Sequence, residues 1–275
     1  MAHSYPDIMQ ALHGILLEVC QILNNSGVQY AVAGGWVPYL RSAGHALRHP
    51  GTKDVDLLFN DEPDPIKLAV KRLLEAGYVP SAKHKFQLLK ELPVQDQRFV
   101  FNVDLMHPRE AEIKRYEDMF EDIIDLGIKE NYDGSDTHIM KSICFPSAKI
   151  VFDEELWSLV QIDAILANGQ ASSARIPLMD ECGLILSKCE SVSGKKRDRD
   201  AFDICFVLSG PDPEGVTRKL KALSGRFPQV AEHLASLERF LRKDAKTFDN
   251  RVKAYAQDRD VTGSAETVLR LLFGG

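Results

Sequence analysis

The chain has 275 residues, of which 44% are hydrophobic, 27% charged and 8% aromatic. This is the composition of a globular protein, so dominant disorder is excluded, and the length suits one large domain or two small ones. The formal net charge of -6, from 34 Lys and Arg against 40 Asp and Glu, argues against a protein that binds nucleic acid through a broad basic face.

Hydropathy and cysteine usage bear on the compartment. No apolar run approaches the ~20 residues that span a bilayer, and the first residues lack the basic-then-apolar pattern of a signal peptide. The five cysteines contain no CxxC pair, which indicates reduced thiols and favours neither a disulfide framework nor a zinc site. We therefore expect a cytoplasmic protein that does not bind a membrane.

In the first half of the chain, predicted helices and strands alternate. Apolar residues at three- and four-residue steps predict a helix over Ile8–Leu23, and a short apolar run before two glycines predicts a strand over Tyr30–Ala33. The same reasoning predicts, in order, a helix at Trp36–Arg41, a strand at Val55–Phe59, a helix at Pro65–Ala76, strands at Phe86–Leu92 and Arg98–Met106, a surface helix at Arg109–Ile124, and one or two strands within His138–Val151.

After about residue 152 the pattern becomes helical. Apolar residues at helical spacing, separated by Gly, Pro or Ser, predict helices over Glu154–Ala167, Leu178–Val192, Asp198–Leu208, Glu214–Leu223, Gln229–Leu241 and Ala265–Leu272. The predicted fold class is therefore α+β. A small mixed sheet flanked by helices would occupy a first domain, residues 1–151, and an α-helical C-terminal domain would occupy residues 152–275.

Three carboxylates on two predicted strands carry the strongest signal of chemistry. Side chains alternate along a strand, so Asp54 and Asp56 share one face, and Asp104 joins them if its strand is a neighbour. Like charges ~7 Å apart repel each other, whereas Mg²⁺ binds hard oxygen ligands of this kind beside substrate phosphates. A third carboxylate allows a two-metal site. The alternative is a pair of solvated carboxylates on an edge strand, because short motifs often recur by accident.

Two glycines, Gly34 and Gly35, stand between a predicted strand and a predicted helix. Backbone N–H groups in such a turn can approach a phosphate closely at the N-terminus of the helix. The alternative is an ordinary tight turn, which is what most Gly-Gly pairs form. Trp36, directly after the turn, would either stack on a nucleotide base or lie in the core beneath the turn.

Together these residues resemble the nucleotidyltransferase superfamily that includes the polymerase-beta-like enzymes. The pattern of that family is a Gly-Gly turn, a strand bearing Asp-x-Asp, and a third carboxylate on a later strand. The sequence is most similar to the AbiEii-type abortive-infection toxins, at Val32–Trp36 and Thr52–Asp56, and its Gly-Gly-Trp is also similar to aminoglycoside nucleotidyltransferases. The resemblance implies a nucleotidyltransferase core and transfer of a nucleoside monophosphate from an NTP, such as ATP, to an acceptor hydroxyl, with release of pyrophosphate.

The resemblance also implies roles for individual residues. Asp54, Asp56 and Asp104 would be the catalytic residues and would hold Mg²⁺ or Mn²⁺, with Asp104 either completing a second metal position or accepting the acceptor's proton. Gly34 and Gly35 would bind phosphate oxygens of the NTP.

A second group of residues lies in the predicted helical half. Lys188, Arg199, Asp200 and Asp203 match the spacing of a motif in the same toxin branch. The resemblance implies that Lys188 reaches the nucleotide phosphates and that Asp203 helps to form the nucleotide site. The alternative is a solvated charge run with weak i,i+4 pairs.

The acceptor stays open between RNA, a protein and a small molecule, and a cognate antitoxin is an implied partner. The basic run Lys195-Lys196-Arg197 would either form a solvated loop or supply phosphate contacts to RNA, and its charge together with the resemblance favours RNA. Two other functions remain: an antibiotic-modifying transferase, whose acidic cleft would attract a polycation, and a nucleotide-binding module without catalysis.

Overall fold

The structure, a computed structural model, describes residues 3–45, 47–60, 63–108, 123–132, 136–145, 148–194, 197–256 and 261–274. It contains two compact units, Met1–Trp36 with Gly51–Met179, and Val37–Pro50 with Asp180–Gly275. These units are defined by compactness, whereas the predicted domains, divided at residue 151, are parts that would fold independently. The predicted division therefore stays a prediction. Within the described ranges, no helix is both long enough and apolar enough to cross a membrane.

The first unit contains a mixed β-sheet and helices. Its helices are α1 (Ile8–Asn24), α3 (Pro63–Glu75) and α4 (Ala148–Asp153). Its strands are β1 (Tyr30–Val32), β2 (Asp54–Phe59), β3 (Val79–Pro80), β4 (Gln87–Val94), β5 (Gln97–Pro108), β6 (Ile123–Tyr132), β7 (Asp136–Phe145), β8 (Trp157–Ile165) and β9 (Ala171–Met179).

Seven strands form the main path of the sheet, in the order β3-β4-β5-β2-β1-β9-β8. The central pair β2 and β5 is parallel, as is the pair β1 and β9, whereas β4–β5, β1–β2 and β8–β9 are antiparallel. β7 pairs in parallel with the last residues of β5, and β6 pairs with β7 in antiparallel orientation. The two strands with the predicted carboxylates are therefore direct neighbours in the middle of the sheet.

Helix α1 forms because its sequence supplies both an N-terminal cap and one apolar face. The Asp7 side chain accepts a hydrogen bond from the backbone N–H of Gln10 at 2.8 Å, which satisfies one of the free donors of the first turn. The apolar face packs on β2, β8 and β9. Its fully buried residues include Leu12, Ile15, Leu16, Val19 and Leu23.

The elements predicted before residue 108 are present with bounds shifted by a few residues, and β3 is an additional short strand. The strand prediction within 138–151 is confirmed by β7, although Ala148 already begins α4. Most of the surface helix predicted over 109–124 falls on residues 109–122, which lie outside the described residues, and its last two residues, Ile123 and Ile124, instead begin β6.

The helix predicted over Glu154–Ala167 is wrong, because this segment contains the edge strand β8. Leu159, Ile162 and Ile165 recur every three residues and imitate helical spacing. The segment is nevertheless rich in aromatic and β-branched residues, which favour a strand once a partner such as β9 is available. The helix predicted from Leu178 begins only at Glu181, since β9 ends at Met179.

In the second unit, every regular element among the described residues is a helix. The N-terminal segment Val37–Pro50 carries most of α2 (Trp36–Leu40). The later helices are α5 (Glu181–Ser191), α6 (Asp198–Leu208), α7 (Pro213–Arg226), α8 (Pro228–Lys253) and α9 (Ser264–Phe273). The predicted fold class, a mixed sheet flanked by helices followed by a helical C-terminal region, is confirmed.

Residues 37–50 are held against helix α6 by two histidines. The ring of His45 stacks on Phe206 with centroids 4.3 Å apart, and its Nδ1 lies 3.0 Å from the Phe206 carbonyl oxygen. His49 is buried and approaches Asp203. These contacts tie the early segment to the helices that follow residue 180.

Candidate active site

The pairing of β2 with β5 brings the three predicted carboxylates together. In the parallel register Asp56 lies opposite Asp104, and Asp54 lies opposite Asn102. One carboxylate oxygen from each of Asp54, Asp56 and Asp104 lies within 4.8 Å of the other two. The prediction that these two strands are neighbours and form one acidic cluster is confirmed.

The alternation of the two strands sets which side chains face the cluster. Val55, Leu57, Val103 and Leu105 are fully buried in the core of the unit. The carboxylates, which project from the opposite face, are half-buried. The acidic cluster therefore sits on rigid sheet strands and remains accessible to an ion.

Neutral hydrogen-bond donors hold two of the carboxylates. The Thr52 hydroxyl donates to Asp54 Oδ1 at 3.0 Å, and the amide Nε2 of Gln87 donates to Asp104 Oδ1 at 2.8 Å. The Ala33 N–H donates to the Asp56 carbonyl oxygen at 2.9 Å and so attaches the glycine turn to β2. Sequence reasoning missed Gln87, whose role depends on the register between β4 and β5.

Burial changes the acidity of one member of the cluster. Burial raises the pKa of Asp104 to about 6, the negative charge of Asp54 acts in the same direction, and the Gln87 hydrogen bond opposes both. Three carboxylates this close form a donor set of hard oxygen ligands, which fits Mg²⁺ or Mn²⁺. A divalent cation would favour the ionised form of Asp104 and so oppose the effect of burial on its pKa.

Gly34 allows the glycine turn to approach the cluster. Its φ of +61° lies in the left-handed region, and a Cβ atom at this position would lie 1.8 Å from Asp56 Oδ2. Only glycine avoids both the backbone strain and the clash. The predicted binding of phosphate by Gly34 and Gly35 stays a prediction.

Trp36 lies in the core. Its side chain is fully buried, and its indole Nε1 donates to the Asp54 carbonyl oxygen at 2.9 Å. The alternative in which this ring stacks on a nucleotide base is therefore wrong. The indole instead attaches the start of α2 to the first residue of β2.

In the second unit, Lys188 is part of a buried network of charged groups. Its Nζ lies 2.6 Å from Asp200 Oδ1 and 3.5 Å from Asp203 Oδ2. Ser191 donates to the other oxygen of Asp200 at 2.6 Å. The i,i+4 pair of Arg199 with Asp203 that the alternative named is present at 3.7 Å, but the run is not solvated, because the Lys188 side chain is only 15% exposed and that of Asp203 is fully buried. Phosphate binding by Lys188 stays a prediction.

His49 completes this network and was not singled out from the sequence. Its Nε2 lies 3.2 Å from Asp203 Oδ1, and Arg199 lies beside both groups. Burial lowers the pKa of His49. Burial alone would raise the pKa of Asp203, but Lys188, the His49 hydrogen bond and Arg199 together lower it below its usual value. The network thus contains an ionised carboxylate and a neutral imidazole at neutral pH.

Of the predicted basic run, Lys195 and Lys196 lie outside the described residues. Arg197 is described and directly precedes α6.

No protein-family model matches the sequence, and no curated protein matches it. Among solved structures, a candidate nucleotidyltransferase from H. pylori has a TM-score of 0.38 at 14% identity, with 96% of this chain and 92% of that chain covered. The protein JHP933 from Helicobacter pylori has a TM-score of 0.36 at 15% identity, with 96% and 89% covered.

Proposed function

We propose that the chain is a metal-dependent nucleotidyltransferase, which moves a nucleoside monophosphate from an NTP to an acceptor hydroxyl and releases pyrophosphate. The observation that carries this proposal is the convergence of Asp54, Asp56 and Asp104 within 4.8 Å on two adjacent strands. The glycine turn packed against Asp56 supports it further, because the resemblance expects such a turn beside the carboxylates.

In the proposed reaction the acceptor hydroxyl oxygen forms a bond to the α-phosphorus of the NTP. The bond from that phosphorus to the bridging oxygen of the β-phosphate breaks, pyrophosphate leaves, and the hydroxyl proton passes to a base. Mg²⁺ or Mn²⁺ held by the three carboxylates would supply positive charge to the triphosphate and acidify the attacking hydroxyl. Gly34 and Gly35 would bind phosphate oxygens through backbone N–H groups.

Label transfer from an NTP tests this proposal. The protein is incubated with α-³²P-labelled NTPs, Mg²⁺ or Mn²⁺, and total cellular RNA, protein or small molecules in separate reactions, and pyrophosphate is measured in parallel. Asp56→Asn should abolish transfer. Asp163→Asn is the matched control, because it removes one exposed carboxylate from edge strand β8 of the same unit. Near-normal transfer by Asp56→Asn would refute the assignment. NTP binding without pyrophosphate release would indicate a binding module.

RNA is the acceptor that we propose. The support is the basic run Lys195-Lys196-Arg197 in a chain that is otherwise acidic. Replacing all three residues by Ser should weaken RNA modification and make the salt dependence shallower, by about 0.7 in the log–log slope for each phosphate of a single strand that the variant no longer neutralises. A polycationic acceptor would instead be modified equally well or better by the triple variant. RNA modification with unchanged salt dependence would contradict the RNA proposal.

In the proposal Lys188 contacts the NTP phosphates, and the buried Asp203 helps to form the nucleotide site by holding Lys188. Lys188→Ala should weaken NTP binding by about 1.5–3 kcal/mol if the ammonium contacts phosphate. Calorimetric titration of NTP into the folded variant measures this loss, and unchanged NTP affinity would assign Lys188 to the buried network alone. The toxin activity and the antitoxin partner implied by the resemblance stay predictions, and a co-purification experiment from the native host would test the partner.

A further inference from the structure

One side chain outside the acidic cluster contacts it from the neighbouring strand. Gln87 begins β4 and lies opposite Asp104 in the antiparallel register of β4 and β5, while Asp104 lies opposite Asp56 on β2. Residues that are directly opposite on paired strands project to the same face. Gln87, Asp104 and Asp56 therefore form one row across three strands, with the amide at its end.

Backbone hydrogen bonds hold the chain around Gln87 independently of its side chain. The Gln87 N–H donates to the His84 carbonyl oxygen at 3.1 Å, and the Gln87 carbonyl oxygen accepts from the Ser81 N–H at 2.9 Å. The next contact, from the Leu105 N–H to the Phe86 carbonyl oxygen at 2.9 Å, anchors the start of β4 to β5. The amide thus extends from a rigid base and is itself buried.

The hydrogen bond from Gln87 restricts how the Asp104 carboxylate can rotate. Nε2 donates to Oδ1 at 2.8 Å, which uses one lone-pair site of that oxygen and favours one orientation of the carboxylate. An amide also differs from Lys or Arg in an important way, because it donates without adding positive charge. The full negative charge of the cluster stays available to a cation.

We propose that Gln87 is a positioning residue, which orients Asp104 for divalent metal binding by the acidic cluster. The inference rests on the proposed function, since it assumes that Asp54, Asp56 and Asp104 bind a metal. Partners that orient ligating carboxylates typically contribute about 10–100-fold to metal affinity. Gln87 would act in this way without touching the ion or the substrate.

Two substitutions at this position test the proposal. Gln87→Met keeps the length of the side chain and removes the donor, and Gln87→Asn keeps an amide but is too short by one methylene. Gln21→Met is the matched control, because Gln21 Nε2 also donates a hydrogen bond of 2.8 Å in the same unit, to Ser172 Oγ on β9, beside a longer one of 3.5 Å to the Ser173 carbonyl oxygen. Mn²⁺ affinity is measured by calorimetry, and the thermal midpoint is measured with and without Mn²⁺.

Both Gln87 variants should bind Mn²⁺ at least about 10-fold more weakly than the wild type, with a metal-free midpoint no lower than that of Gln21→Met. Gln21→Met should keep wild-type affinity. If Gln87→Met does not fold, Gln87→Asn decides. Wild-type affinity in the Gln87 variants would overturn this inference and leave the proposed function standing. Weaker Mn²⁺ binding would also overturn it if the metal-free thermal midpoints of the Gln87 variants fell below that of Gln21→Met. That result would mean that Gln87 stabilises the fold and does not specifically orient Asp104. A wild type that binds no Mn²⁺ would refute both.

Discussion

Replacing Gly34 by alanine tests whether the glycine turn and the acidic cluster form one site. The substitution adds a single Cβ atom, which would lie 1.8 Å from Oδ2 of Asp56 and 2.7 Å from its Cγ. It also places a non-glycine residue at a φ of +61°. The variant therefore combines a backbone cost with the forced displacement of one carboxylate.

The two effects have different magnitudes and different consequences. A left-handed backbone conformation costs an alanine about 1–2 kcal/mol of folding stability. Restoring ordinary van der Waals contact requires the Asp56 carboxylate to move by more than about 1 Å. Metal and catalytic sites tolerate displacements of only about 0.5 Å, and a 1 Å displacement can cost about 100-fold in rate. Gly34→Ala should therefore lower both metal affinity and transfer.

Gly27→Ala separates these effects. Gly27 has a φ of +68°, but nothing lies within 4 Å of the position of its Cβ. Urea unfolding and Mn²⁺ calorimetry on both variants give the comparison. We expect both to lose about 1–2 kcal/mol of stability and only Gly34→Ala to lose Mn²⁺ affinity. Equal Mn²⁺ affinities in the two variants would show that the added Cβ atom does not disturb the acidic cluster.

Three further predictions concern charged groups. Asp104→Asn should raise the unfolding free energy of the metal-free protein at pH 7 by up to about 3 kcal/mol, because burial raises the pKa of Asp104 to about 6. The gain should vanish below about pH 4, where Asp104 is protonated in both states. A gain that persists there in urea titrations would show that the raised pKa is not its cause. Lys188→Met should lower the unfolding free energy by about 3–5 kcal/mol, since it leaves Asp203 buried without its ammonium partner. A loss under about 1 kcal/mol in urea unfolding would show that the pair contributes little to stability. His49 should contribute a loss of stability as the pH drops below about 6.5, because burial lowers its pKa and the unfolded chain binds the proton first, whereas Asp104 contributes in the opposite direction over the same range. His49→Gln should reduce that loss between pH 7.5 and 5.5, and an identical pH dependence would contradict it.

The carboxylate cluster was predictable because it depends on short-range pattern. Strand alternation sets the common face of Asp54 and Asp56, and apolar neighbours place Asp104 in a second buried strand. The adjacency of β2 and β5 then followed from the resemblance and is present in the structure. A cluster whose members all lie on two central strands can be predicted without knowing the conformation of the connecting loops.

Gln87 was not predictable because its partner depends on a hairpin register. β4 and β5 are joined by a two-residue turn between Val94 and Gln97, in which Gln95 adopts a φ of +54°. Such turns usually carry Asn or Gly, so the sequence offers no clear sign of where the strands reverse. A shift of one residue would turn Gln87 to the opposite face.

The network around His49 could not be predicted for a different reason. Its partner Asp203 is 154 residues away in the sequence, and no spacing rule connects a loop histidine to a helical carboxylate at that distance. Pattern reasoning identified Asp203 and Lys188 only through their motif, and tertiary packing supplies the histidine that joins them.

Divalent metal binding by Asp54, Asp56 and Asp104 together is measured by calorimetric titration of Mn²⁺ into the wild type, Asp56→Asn and the control Asp163→Asn, each with and without an NTP. We expect saturable Mn²⁺ binding that is strengthened by the NTP in the wild type and in Asp163→Asn, and that is abolished in Asp56→Asn. Equal binding in all three proteins, or none in the wild type, would contradict metal binding by this cluster.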